Sequence, residues 1–248
     1  MLINDHLANM GETLFRWRSF VLTLFIPIVF FAIWQGEAIE LRFGDTVGEI
    51  YEAICLVLVL TGVGLRAFTV GYVPARTSGR NTKGQVADSL NTTGIYSVVR
   101  NPLYLANAIG YMGVALYTQW LWVGALMALV LVIYFERIIA AEERFLSDKF
   151  GQDYSDWAAR TPAFFPRLSG WVNPALPFSW RTVFRREHPS WLSTMTMMYA
   201  LEMLSTWRKG EALSDATAWH VAMLAVIALQ IVMMALKKWT RFFRVDGR

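Results

Sequence analysis

The sequence is poor in the residues that build metal centres and cross-links. One cysteine, Cys55, forms no internal disulfide, and three histidines, His6, His188 and His220, stand too far apart for the ligand spacing of a structural or catalytic zinc. Charge is scarce as well: Asp, Glu, Lys and Arg make up 17% of the 248 residues, against about 25% in an ordinary soluble domain. Hydrophobic residues fill the difference at 55%, with a mean hydropathy of +0.37, which excludes a typical soluble fold and predicts a multi-span membrane protein. The charges that remain are gathered into blocks between apolar runs, which excludes one long amphipathic bundle. The formal net charge is +4 and the pI near 9.3. Because the basic residues border the apolar runs, their expected counter-charge is anionic lipid headgroups. The expected partners are therefore the bilayer and a membrane lipid, with no nucleic acid and no metal.

Residues 1–16 carry Asp5, His6, Glu12 and Arg16 before any long apolar run, so no removable signal peptide is expected. Trp17 to Trp34 reads as a first span, bracketed by tryptophans and kinked at Pro27. An acidic loop follows with Glu37, Glu40, Asp45 and Glu49, then a second span from Ile50 to Tyr72. Within it Gly62 and Gly64 could suggest a nucleotide-binding loop, but no strand precedes them and the third glycine is missing, so close helix packing is expected. Val73 to Val99 is polar and basic through Arg76, Arg80 and Lys83, which the positive-inside rule places in the cytoplasm. Leu103–Gln119 and Leu121–Ile139 are two apolar runs with a three-residue polar connection, which predicts an antiparallel hairpin. Ala140 to Pro189 leaves the membrane. Trp191–Trp207 is a fifth span or an interfacial helix, and Ala218–Leu236 a sixth. The expected fold is all-α, a polytopic membrane protein of about six spans with both termini inside. Its expected parts are a two-span region at 1–93, a core at 94–166, and a linker with two spans at 167–248.

Polarity at the two ends of the hairpin is the chief functional signal. Arg100, Asn101 and Pro102 stand where a chain entering lipid should be plain. Proline suits the first turn of a helix and forces the residue before it out of helical geometry. A helix N-terminus beside a guanidinium attracts a carboxylate or phosphate; the plain alternative is a snorkelling arginine and a capping asparagine. At the far end, Glu136, Arg137, Glu142, Glu143 and Arg144 follow one another on a helix, which suits either a site or a solvated face of ion pairs. Beyond them Gly151 is placed to end the helix, Tyr154 and Trp157 offer aromatic faces, and Arg160 precedes Thr161-Pro162. This segment is expected to fold back as a lid. Aromatic planes, carboxylates and arginine together suit a cationic, adenine-bearing cofactor.

The order of these parts, G-x-Y-x-x-x-R-N-P-x-Y from Gly94 to Tyr104, E-E-x-x-L-x-x-x-F-G-x-x-Y from Glu142 to Tyr154, and R-x-P-x-x-x-P from Arg160 to Pro166, resembles the isoprenylcysteine carboxyl methyltransferase and phospholipid methyltransferase group of integral membrane enzymes. The resemblance covers Gly94 to Pro166. It implies S-adenosylmethionine as cofactor, with Tyr96, Arg100, Asn101, Pro102 and Tyr104 on one wall of its pocket. Glu142, Glu143 and Tyr154 would form another wall, with Arg160 near the way in for substrate. Two positions depart from the family's usual pattern: Asn101 stands where histidine is usual, and Ala106 where glycine often is. The upstream segment, ARTSGRNTKGQVADSLNTTG, is similar to bacterial relatives that methylate lipid headgroups or lipid phosphates, which implies an inner-membrane location.

Methyl transfer from a sulfonium is an in-line displacement, so the protein's task is alignment and exclusion of water. An anionic oxygen needs no general base, whereas a protonated amine must first lose a proton. Asparagine does not titrate near neutral pH, and no histidine lies in the motif. The expected acceptor is therefore an oxygen such as a lipid phosphate, oriented by Arg100 or Arg160, with Glu142 or Glu143 holding the cofactor. The catalytic candidates are Arg100, Glu143 and Arg160. Amine N-methylation and prenylcysteine carboxyl methylation remain alternatives within the same chemistry. A membrane reductase using NADPH, with Arg181, Arg185 and Arg186 for the second phosphate, and a non-enzymatic carrier or scaffold are alternatives outside it.

Overall fold

The computed structural model describes residues 3–18, 20–74, 77, 85–245 and 247. The basic residues Arg76, Arg80 and Lys83 of the expected cytoplasmic loop lie outside the described residues. Among those described, the fold is all-helical, with a single isolated bridge between Gly94 and Val172. Helix α1 spans Ile3–Arg16, α2 Ile26–Trp34, α3 Ala38–Phe43, α4 Asp45–Tyr72, α5 Pro102–Leu116, α6 Leu121–Phe150, α7 Gln152–Arg160, α8 Trp180–Lys209 and α9 Thr217–Trp239.

Four stretches are long and apolar enough to cross a membrane: Val21–Phe43, Asp45–Tyr72, Leu121–Phe150 and Thr217–Trp239. The first is interrupted at Pro27, where a 3-10 turn over Val21–Phe25 hands over to α2. Proline is tolerated at that point because the first turn's N–H groups have no intrahelical partner. Helix α5 is apolar but shorter. Helix α8 departs from expectation. Instead of a linker ending at Pro189 and a helix from Trp191, the chain forms one 30-residue helix through Pro189. Ser179 starts it by accepting the Thr182 backbone N–H, and Gly210 ends it in the left-handed region at φ 74°. Charged residues at the start of α8, Arg181, Arg185, Arg186 and Glu187, keep it out of the apolar class.

Glycine sets the closest helix approach. A Cβ on Gly62 of α4 would lie 2.7 Å from the Ala106 carbonyl oxygen of α5, and one on Gly113 of α5 would lie 2.8 Å from the Val59 nitrogen. Gly62 thus serves helix packing, as expected, and the small Ala106 is part of the same contact. The hairpin of α5 and α6 is also as expected, turning through Tyr117–Trp120 with Gln119 at φ 61°. Helix α6 continues without a break through Glu136–Arg144 and ends at Gly151, whose φ of 52° favours glycine. It therefore carries Glu142 and Glu143 on the same rigid rod as the membrane segment.

At the end of the molecule away from Arg100, a polar network ties the loops together. Buried Glu37 accepts from Ser205 Oγ and pairs with Arg208 at 3.1 Å and Lys209 at 2.7 Å. Gln119 donates to Glu52 at 3.0 Å and accepts the Glu40 backbone N–H at 2.8 Å. The acidic loop, the hairpin turn and the end of α8 are so joined, since a buried carboxylate without a partner would cost several kcal/mol, on the order of ~3–5.

Candidate functional site

The Gly94–Asn101 segment approaches α5 as an ordered strap. Gly94 adopts φ 60°, its N–H donates to Val172 O at 2.8 Å, and Ser97 Oγ closes the turn onto Gly94 O at 2.7 Å. The chain after α7 runs alongside it. Arg100 N–H donates to Pro162 O at 2.8 Å, Arg167 N–H to Val98 O at 3.0 Å, and Trp157 Nε1 to Tyr96 O at 3.0 Å. Asn101 opens α5 without capping it with its side chain; its Nδ2 donates to Ala163 O at 3.0 Å instead. These bonds bring α7 and the residues after it back over the start of α5.

Arg100 is the centre of this arrangement. Its Nε and Nη2 reach Glu143 Oε1 of α6 at 3.1 and 2.6 Å, and its Nη1 donates to Ala158 O at 2.9 Å and Thr161 O at 2.7 Å. The guanidinium therefore fastens α6 to the C-terminal end of α7. Tyr154 lies buried beneath the same pair. Burial, followed by the negative charge of Glu143, pushes its hydroxyl well above the usual tyrosine range, so it stays protonated beside Glu143. Its ring meets Trp157 edge-on at 5.7 Å.

A cavity of about 210 Å³ opens beside this clasp, lined by Tyr96, Arg100, Asn101, Pro102, Tyr104, Glu142 and Trp157 among others. Tyr104 donates to Glu142 Oε2 at 2.8 Å, which orients one carboxylate at the cavity wall. Of the residues expected from sequence, Tyr96, Arg100, Asn101, Pro102, Tyr104 and Glu142 come together here. Glu143 and Tyr154 are not part of the lining; Glu143 holds Arg100, with Tyr154 beside it. Arg160 is exposed on α7, outside the cavity lining, and among the described residues its side chain takes no partner while its carbonyl accepts from Arg167.

The cavity also includes residues that sequence reasoning passed over. Phe15 and Arg18 reach it from α1 and the turn after it, Arg66 from α4, Asn107 from α5, and Glu187 from α8. Arg66 carried a usable signal, because an arginine inside an apolar span marks a functional or paired position by default. Its partners did not, since Glu187 lies 121 residues away in the chain. The three arginines considered for a nicotinamide phosphate separate: Arg181 stacks over Phe242 at 4.9 Å and Arg185 donates to Phe243 O, leaving Arg186 alone at the cavity.

As for metal, Glu37, Glu40 and Glu52 at the opposite end bring carboxylate oxygens within 4.8 Å of one another. Arg208 and Lys209 already pair with Glu37 and Glu40 of that group, and Glu52 accepts from Gln119.

Comparison with known proteins bears on the same segment. Residues 53–153 match the family model described as phospholipid methyltransferase, so the likeness read from the motifs is met over Gly94–Asp153. The chain is 39% identical over 116 residues to the cobalt-zinc-cadmium resistance protein CzcN of Cupriavidus metallidurans, a match covering 46% of this chain and 51% of that protein. It is 36% identical over 110 residues to the nickel-cobalt-cadmium resistance protein NccN of Alcaligenes xylosoxydans xylosoxydans, covering 44% and 51%. The chain thus spans about half the length of these curated relatives. No solved structure matches.

Proposed function

With a phospholipid methyltransferase segment at residues 53–153 as the premise, we propose that this protein transfers a methyl group from S-adenosylmethionine to an anionic oxygen of a membrane lipid headgroup, a lipid phosphate above all. The observation that carries the reading is the cavity where Tyr104 orients Glu142 beside the Arg100–Glu143 clasp. The donor set fits the cofactor: a carboxylate suits its cationic and hydroxyl groups, and the faces of Tyr96, Phe145 and Trp157 suit a purine and a sulfonium. When bound, the cofactor supplies a methyl group activated on a positively charged sulfur.

The chain's own residues do the rest. Tyr104 and Glu142 hold the donor side, and Arg100 draws α6 and α7 together so that α7 acts as a lid excluding water. An anionic oxygen attacks without first losing a proton, which agrees with a cavity lined by no histidine among the described residues. In this reading α5 and α8 also cross the membrane, giving six spans with both termini and the site on the cytoplasmic side of a bacterial inner membrane. The lipid enters sideways between helices, and Arg160, exposed on α7, faces its route.

The metal resistance in the relatives' names gains a physical route from the same chemistry. Each methylated phosphate oxygen removes one negative charge from the bilayer surface, and surface potential governs how strongly cations gather there. Two measurements test the proposal. Calorimetry of the purified protein in detergent is expected to show binding of S-adenosylhomocysteine, and lipids from cells making the protein are expected to gain the mass of one methyl. No binding at high micromolar concentration would sink the reading.

A further inference from the structure

One turn along α5 from Tyr104, a second polar group completes the cavity. Arg66 of α4 donates from Nε and Nη2 to the two carboxylate oxygens of Glu187 in α8, at 2.8 and 3.1 Å. Its Nη1 donates to Asn107 Oδ1 of α5 at 2.6 Å. The Arg66 and Glu187 side chains are 19% and 2% exposed, so the pair is built into the protein and is no surface contact. Among the described residues these bonds use three of the five N–H groups a guanidinium carries, leaving one on each terminal nitrogen. The amide of Asn107 has its orientation fixed, because Oδ1 must face the guanidinium, and its two N–H groups take no partner among the described residues. Both oxygens of Glu187 are occupied. The group thus offers spare donors and few acceptors.

Charge points the same way. The described lining brings four arginines, Arg18, Arg66, Arg100 and Arg186, to one cavity beside Glu142 and Glu187. Depth agrees too. At about 1.5 Å per residue, α4 is about 42 Å long, which matches a bilayer with its headgroups. Arg66, six residues before the end of α4, lies about 9 Å below that end, just under the headgroup layer, a depth at which an ionisable side chain marks a functional position.

The geometry points to an acceptor subsite for a phosphate oxyanion, in which Arg66 and Asn107 bind the phosphate and Glu187 positions the guanidinium. This rests on the reading of the cavity as a methyl-transfer site and names its acceptor end, with Tyr104 and Glu142 at the donor end. Because Glu187 and Arg186 lie beyond residue 153, where the family match stops, acceptor choice is set in part by a helix outside the matched segment.

The test uses the full chain in detergent with two probes, dihexanoylphosphatidic acid below its micelle concentration and inorganic phosphate, beside S-adenosylhomocysteine as a control for the donor end. Arg66→Lys keeps the charge but loses the fork, and is expected to weaken phosphatidate binding by about tenfold or more. Asn107→Ala leaves the ion pair in place and is expected to weaken it about threefold or more. Both are expected to hold S-adenosylhomocysteine as the parent does. Phosphatidate binding stronger than that of inorganic phosphate supports a lipid acceptor; equal binding overturns the lipid assignment. Unchanged phosphatidate affinity in Asn107→Ala and in a folded Arg66→Lys overturns the subsite. If the parent binds no S-adenosylhomocysteine while phosphatidate binding still depends on both residues, the subsite stands and the methyl-transfer reading falls.

Discussion

Arg100 Nη2 lies 2.6 Å from Glu143 Oε1, and the same guanidinium holds two carbonyls at the end of α7. One arginine just before α5 thus ties the end of α7 to α6. Glu143, the second of the paired glutamates, serves this clasp, which leaves its neighbour Glu142 to face the interior.

Arg100→Lys is expected to release α7 while leaving the helices intact. An ammonium cannot reach Glu143, Ala158 O and Thr161 O at once. Charge-assisted bonds of this kind contribute about 1.5–3 kcal/mol. Hydrogen exchange should show faster labelling over residues 152–163 with unchanged protection in α4 and α5. Equal labelling throughout would mean that the clasp does not hold α7.

Glu142→Gln and Tyr104→Phe probe the donor end. Glutamine keeps a hydrogen bond to Tyr104 but loses the charge, so S-adenosylmethionine affinity should fall by about tenfold or more, corresponding to the loss of one charged contact. Tyr104→Phe keeps the charge but frees the carboxylate to turn, and a smaller loss is expected. Calorimetry on both variants checks the order; a reversed order would show that tyrosine, not charge, holds the ligand.

Gly62 and Gly64 give a paired control on packing. Gly62→Ala puts a methyl 2.7 Å from the Ala106 carbonyl, whereas Gly64→Ala meets nothing within 4 Å. The first should cost about 1–3 kcal/mol. The second should be neutral or slightly stabilising, since alanine favours helix. Thermal unfolding in detergent distinguishes the two.

How much of this was readable in the sequence depends on chain distance. The hairpin, the Arg100-Asn101-Pro102 start and the glutamate pair were legible, because each is written in consecutive residues or helical spacing. Gly151 was legible as a helix stop for the same reason. Which of Glu142 and Glu143 pairs with an arginine and which faces the cavity was not, since it depends on which side α7 folds back. Nor was the share of α8: polar residues before Pro189 read as a water-exposed linker until Arg66, half-buried in α4, is seen to need Glu187. The acidic loop likewise gave no sign that Arg208 and Lys209 would pair with its Glu37 and Glu40.

Tyr154 gives a pH-dependent signature. Its folded pKa is raised by burial and then by Glu143, so the stability it contributes is fully present below the unfolded value, near 10, and is lost as pH rises through the higher folded value. Tyr154→Phe should therefore lower stability at neutral pH and reduce the fall in stability at alkaline pH. Thermal melts across pH 8 to about 11 check this; parallel curves for the two proteins would remove Tyr154 from the Glu143 clasp.

Asn101 offers the sharpest test of chemistry without a base. Its side chain donates to Ala163 O, a bond that one nitrogen of histidine can also make, leaving the other free at the cavity. Asn101→His should then keep α7 in place, with hydrogen exchange over residues 152–163 unchanged. What it adds is a group that titrates near pH 6.5. If the acceptor is an oxyanion, the parent enzyme's methyl transfer should be nearly flat from about pH 6.5 to 8.5, because no group in the reaction changes protonation there. The variant should acquire a limb near the imidazole pKa, since a cation formed beside Arg100 alters how the anionic acceptor is held. An amine acceptor predicts the opposite for the parent: a rate climbing with pH as the amine loses its proton. The slope of the parent's own profile therefore separates oxygen from nitrogen methylation before the acceptor lipid is identified.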